Sequence, residues 1–115
     1  MVEIDLDTAL SVLSNPMRRD ILSRLVIEAH YPLQLARELN TSQQAVMKHL
    51  DVLERHGLVS SVKEPSDAGG PPRNAYTATQ QLSIRIDIAP NLFNAKIRTF
   101  DPDDEISIED DYEYI

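Results

Sequence analysis

Apolar residues recur at every third or fourth position through the first half of the chain, and at every second position through much of the rest. Ile4, Leu6, Ala9, Leu10 and Leu13 fit one face of a short amphipathic helix. Asn15-Pro16 breaks it and opens the next. Asn15 can cap, and Pro16 suits the first helical position, where its missing N–H costs nothing. Ile21, Leu22, Leu25 and Val26 then give a buried stripe on a helix from Pro16 to about Ala29, with Arg18, Arg19 and Arg24 on its wetter sides. His30-Tyr31 ends that helix. Pro32 begins a third, to which Leu33, Leu35, Ala36 and Leu39 supply apolar positions. Asn40-Thr41-Ser42 reads as a turn. Thr41 followed by Gln44 has capping-box spacing, with Ser42 as the rival cap. Ala45, Val46, Leu50 and Leu53 form the buried stripe of a fourth helix, and Gly57 ends it as a C′ residue.

Past Gly57 the period shortens. Residues 58–63 read as a strand, residues 64–72 (EPSDAGGPP) as a flexible loop, and residues 74–79 as the returning strand. Leu82, Ile84, Ile86 and Ile88 alternate with Ser83, Arg85, Asp87 and Ala89, a clean period of two. A turn at 89–91 leads into a return strand over 92–100, with Phe93, Ala95, Ile97 and Thr99 on one face. A lone hairpin is marginal in water, so this apolar face must meet the body, a partner subunit or a missing part of the protein. Two short helices joined by a tight turn over residues 33–57, followed by a hairpin, make an α+β winged helix-turn-helix with an additional C-terminal β-hairpin. That arrangement places a helix in the DNA major groove. The expected division is a winged helix-turn-helix over residues 1–80, a hairpin extension that could serve as a dimer contact over 81–100, and an acidic, disordered tail over 101–115.

Length and composition narrow the function classes. At 115 residues the chain is one domain, or one domain with a tail, long enough for a core without staples. It has no cysteine, so neither a disulfide framework nor a thiolate metal site is available. No apolar run approaches the length of a membrane span, and a cytoplasmic protein is the default. The net charge of −8 is unevenly spread. Of 19 acidic side chains, 8 lie in residues 101–115, which hold no lysine or arginine, leaving 11 acidic against 11 basic in residues 1–100. The body is therefore neutral, which permits DNA binding without arguing for it. A tail of that charge could mimic DNA and cover the binding face. Deleting residues 101–115 is then expected to tighten DNA binding at low salt, and an unchanged affinity in a gel-shift titration would refute this autoinhibition.

On the fourth helix Gln43, Gln44, Met47, Lys48 and Asp51 fall on the outward side. Glutamine can pair bidentately with adenine, and Lys48 could reach the backbone or a guanine. Thr41 and Ser42 sit at the helix N-terminus, where hydroxyls and free N–H groups suit a phosphate. An ordinary solvated helix face has the same composition. His49 is expected to be partly exposed or in contact with phosphate, and His56 to interact with the last helical carbonyls. The two histidines stand about two turns apart, too far to share an ion, and His30 is isolated, so no metal site is expected. Lys63, Arg73 and Arg85 would give the wing positive charge, with Arg73 at its tip, against Glu64 and Asp67. Arg18 and Arg19 could clamp the DNA backbone or form surface ion pairs with Asp20 or Glu38, the commoner fate. No nucleophile stands beside a base, and no cofactor fingerprint is present, so an enzyme is not expected.

The segments LSNPMRRDILSRL (13–25), LARELNTSQQAVMKHLDVLERHGLV (35–59) and GGPPRNAYTAT (69–79) resemble the ArsR-type winged-helix transcription regulators, in their archaeal branch. The resemblance covers about residues 10–79 and rests on the patterns LSNPxRRxIL and VxKHLxxLExxGLV. The hairpin over 84–100 is similar to an extension in archaeal members related to sulfur-responsive regulators. The resemblance implies that Thr41, Ser42, Gln43, Gln44, Ala45, Lys48 and His49 belong to the recognition-helix segment, and that Arg73 and its neighbours belong to the wing. It also implies a homodimer on pseudo-palindromic promoter DNA. Classical members sense metals through cysteine and histidine. Without cysteine neither that response nor the redox pair of the sulfur-responsive relatives carries over. Those relatives continue into dimerising helices, so this chain either dimerises through its second hairpin and first helix or is a piece of a longer regulator.

The sequence thus points to a DNA-binding transcription regulator of double-stranded promoter DNA. The alternative is a winged-helix module that binds a protein partner, favoured by the neutral body and acidic tail.

Overall fold

The computed structural model of the chain describes residues 3–67 and 69–100. The acidic tail lies outside the described residues. Four helices come first: α1 (Leu6–Leu13), α2 (Pro16–Leu25), α3 (Pro32–Glu38) and α4 (Gln43–Arg55). Two antiparallel hairpins follow, β1 (Val59–Glu64) with β2 (Arg73–Ala78), and β3 (Gln81–Ala89) with β4 (Leu92–Phe100).

Caps set the helix boundaries. Asp5 accepts from the Thr8 N–H at 2.7 Å to start α1, and the Asn15 side chain accepts from Met17 and Arg18 N–H to start α2. α2 stops at Leu25, earlier than the expected end near Ala29, and Val26, expected in the buried stripe, is exposed, as is Ile27. Two β-branched residues in succession weaken the helix, and the chain must turn there for His30 to pair with the wing. His30 and Tyr76 exchange backbone bonds of 3.0 and 2.8 Å, adding a one-residue bridge beside β2. Leu33, expected to be apolar and inward, is 44% exposed, because α3 has less than two turns and buries Pro32, Leu35 and Ala36 instead.

The core is a single cluster drawn from all four helices and the wing. Ala9, Ile21, Leu35, Val46, Leu50 and Leu53 have no exposed surface, and Leu58, Val59 and Tyr76 close the cluster from the β side. Leu82, Ile84 and Ile97 of the second hairpin pack against it partly. Farther along the same hairpin Ile86, Ile88, Leu92 and Phe93 are exposed.

Candidate nucleic-acid interface

The turn between α3 and α4 is fixed at both ends. Asn40 takes the left-handed conformation with φ of 54°, the Thr41 N–H reaches the Ala36 carbonyl at 2.9 Å, and the Asn40 N–H reaches Arg37. This is a Schellman close in which asparagine stands where glycine is usual. Of the two rival caps of α4, Ser42 holds the position, its Oγ accepting from the Ala45 N–H at 3.1 Å. Thr41 is half-buried and belongs to the turn. At the far end Gly57, with φ of 76°, closes a second Schellman motif through Leu58 N–H to Leu53 O at 2.9 Å and Gly57 N–H to Glu54 O at 3.0 Å.

Between these stops α4 runs 13 residues, about 20 Å. Val46, Leu50 and Leu53 anchor one face in the core. The other face carries Gln43, Gln44, Met47, Lys48 and Asp51, which together line a shallow open depression. Gln43, Gln44 and Lys48 are exposed, while Met47 is half-buried and also packs on the core. The amide and ammonium groups therefore stand on a floor whose backbone cannot shift without disturbing the core.

Arg18 and Arg19 do not form the surface pairs expected with Asp20 or Glu38. The Arg18 guanidinium donates through Nη1 to the Val12 carbonyl at 3.2 Å and through Nε to His49 Nδ1 at 3.3 Å, and Arg19 Nη1 donates to the Leu13 carbonyl at 2.7 Å. The Asn15-Pro16 break leaves the last carbonyls of α1 without helical donors, and the two arginines one turn into α2 satisfy them. His49 is consequently an acceptor at Nδ1. Burial, then the charges of Arg18 and Lys48, hold its pKa below the ordinary histidine value. The neutral ring keeps an Nε2–H as its donor.

His30 is not isolated. Its ring is buried, with Nδ1 at 2.9 Å from the Glu28 carbonyl and Nε2 at 3.1 Å from Glu38, whose other carboxylate oxygen accepts from Arg24 at 3.0 Å. One carboxylate thus joins the end of α2, the following link and α3.

The wing is tied to the start of α3 by a contact with no trace in the local pattern. Tyr31 Oη donates to Glu64 at 2.5 Å, the Arg73 guanidinium lies 4.1 Å from the centre of the Tyr31 ring, and Glu64 and Arg73 are cross-strand partners. The phenol pKa is raised, chiefly by that bond to Glu64. Arg73 is thereby held at the root of the loop over α3, and Lys63, facing Asn74 across the ladder, stays exposed beside it. Arg85 does not belong to the wing. It lies on β3, where it pairs with Asp87 at 3.0 Å.

A helix-turn-helix domain family model matches residues 13–62, from the end of α1 through most of β1. Three solved structures each align with about three fifths of the chain. Reduced HlyU from Vibrio cholerae is 30% identical over 63% of this chain and 70% of its own, with a TM-score of 0.54. The transcriptional regulator HlyU from Vibrio vulnificus is 31% identical over 62% and 68%, with a TM-score of 0.53. The chain belongs to the winged helix-turn-helix transcriptional regulators. A transcriptional regulator homologue from Pyrococcus horikoshii, 30% identical over 60% of this chain and 67% of its own with a TM-score of 0.53, extends the likeness. No curated protein sequence matches significantly. As a member of these regulators the chain is a DNA-binding protein, with α3 and α4 as its helix-turn-helix and β1–β2 as its wing. No described helix is long and apolar enough to cross a membrane.

Proposed function

We propose that this regulator is of the ArsR type, in its archaeal branch, and binds pseudo-palindromic promoter DNA in the cytoplasm as a homodimer. α4 enters the major groove while β1–β2 flanks it. Gln43 and Gln44 read base edges, and Lys48 and the His49 Nε2–H meet the backbone. Thr41, Ser42, Lys63 and Arg73 add phosphate or minor-groove contacts at either side, with Met47 against the groove floor. Arg18 and Arg19 act through α1 and His49 as well as by their charge. The observation that carries this reading is the two-sidedness of α4. One face is locked in the core, and the other presents two glutamines, a methionine, a lysine and an aspartate around one open depression. The motifs LSNPxRRxIL and VxKHLxxLExxGLV, and the likeness to the Pyrococcus horikoshii homologue, support the family branch.

The test is a salt series of binding to duplex DNA from the gene's own upstream region, with Lys48→Ala beside the parent. A specific complex is expected whose affinity falls steeply with salt. K48A should weaken it on all sequences alike and lower the salt slope by about one. Binding no better than to random duplex at low salt would overturn the reading and leave a protein partner as the alternative.

A further inference from the structure

We infer that the outer half of the β3–β4 hairpin is the surface on which a second copy of this chain docks, an inference that rests on the homodimer proposed above. The ladder register decides which residues share a face. Leu82 faces Thr99, Ile84 faces Ile97, Ile86 faces Ala95, and Ile88 faces Phe93. All eight side chains fall on one side of the ribbon, and the alternate set carries Arg85, Asp87, Asn94, Lys96 and Arg98 on the other. The inner part of the apolar side, Leu82, Ile84 and Ile97, is covered by the chain's own core. Cover then stops while the apolar pattern continues. Ile86 is 47% exposed, Ile88 78% and Phe93 73%.

Two features select a copy of the same chain as the cover. The face holds a knob and a notch two residues apart on one strand, the Phe93 ring and the small Ala95 opposite Ile86. A two-fold axis across the face lays the ring of each copy over the notch of the other, which is the reciprocity an isologous contact demands. The face itself also carries no charged side chain to attract a partner of opposite sign. The tail holds 8 acidic side chains in 15 residues and is poorly matched to an isoleucine-phenylalanine patch. The ribbon is about 30 Å long, from nine residues per strand, so its bare half is small beside a standard interface of roughly 800 Å² per partner. The dimer is therefore concentration-dependent.

Sedimentation equilibrium of the full chain over a concentration series tests this, with Ile88→Lys and Phe93→Lys as disrupting variants and Ile27→Lys, equally apolar and exposed but on the α2 side, as the control. The parent and Ile27→Lys should shift from 13.0 kDa toward twice that mass, and the two hairpin variants should stay at 13.0 kDa with unchanged helical circular dichroism. A parent that remains monomeric throughout, or hairpin variants that dimerise like the parent, would overturn the inference. Failure of DNA binding with these masses as expected would count against the DNA reading alone.

Discussion

Leu50→Ala should lower the stability of the chain by about 3 kcal/mol, the middle of the range for emptying a fully buried leucine site. Leu50 has no exposed surface and sits mid-way along α4, between Val46 and Leu53, in the cluster that also holds Ile21 and Leu35. α2, α3 and β1 all pack on α4, so little backbone can relax into the space. Against a total of roughly 5–15 kcal/mol for a domain this size, the loss is a large share of what holds the wing and helices together. Urea unfolding measures it, with Leu10→Ala as the comparison. Leu10 is 38% exposed on α1, and its truncation should cost less than about 1 kcal/mol. Equal losses at the two positions would mean that α4 is not seated as described. DNA binding by Leu50→Ala should follow the folded fraction and recover on cooling or with a stabilising osmolyte.

Gln44→Ala should leave folding almost untouched and relax sequence preference. The side chain is exposed on the outer face of α4, so its removal opens no cavity. If the amide reads an adenine edge, its loss costs about 1–3 kcal/mol of discrimination at one base pair, roughly five- to 150-fold. Affinity for random duplex and the salt slope should stay at the parent's values. That separates Gln44 from Lys48, whose removal is felt on every sequence. Competition binding with single-base variants of the preferred duplex is the measurement. A uniform loss across all variants, or none, would remove Gln44 from base readout.

What the residue pattern made legible was whatever is decided within a few residues. Asn15-Pro16 and Gly57 mark helix ends through chemistry that acts over one turn, and the structure has those ends where the residues stand, while at the start of α4 the spacing left Thr41 and Ser42 as rivals and Ser42 holds the cap. The alternation from Leu82 to Ile88 sets the register of the second hairpin in the same way. The outward side of α4 followed from the inward one, since each side of a helix implies the other. Contacts between distant segments were not legible. Tyr31 and Glu64 are 33 residues apart, Arg18 and His49 are 31 apart, and no period or cap connects them. His30 read as isolated because its partners come from α3, the preceding link and the wing. Arg18 and Arg19 read as surface charges because the carbonyls they satisfy belong to the preceding helix, and the apolar pattern does not show that the two helices meet closely enough for the bonds. The overlong α2 is the same error reversed: Val26 and Ile27 continue an apolar run, but the backbone is diverted to reach Tyr76.

The wing is joined to α3 at three neighbouring points: the His30–Tyr76 backbone bonds, the Tyr31–Glu64 bond and the Arg73 cation over the Tyr31 ring. The consequence is kinetic. Since α3 and α4 share one core, this tie also orders the wing with respect to α4, so on the proposed reading the helix and the hairpin that meet a duplex need no mutual rearrangement to do so. Arrival is then set by diffusion and the local charge, and differences between one promoter and another are expressed in how long the protein stays.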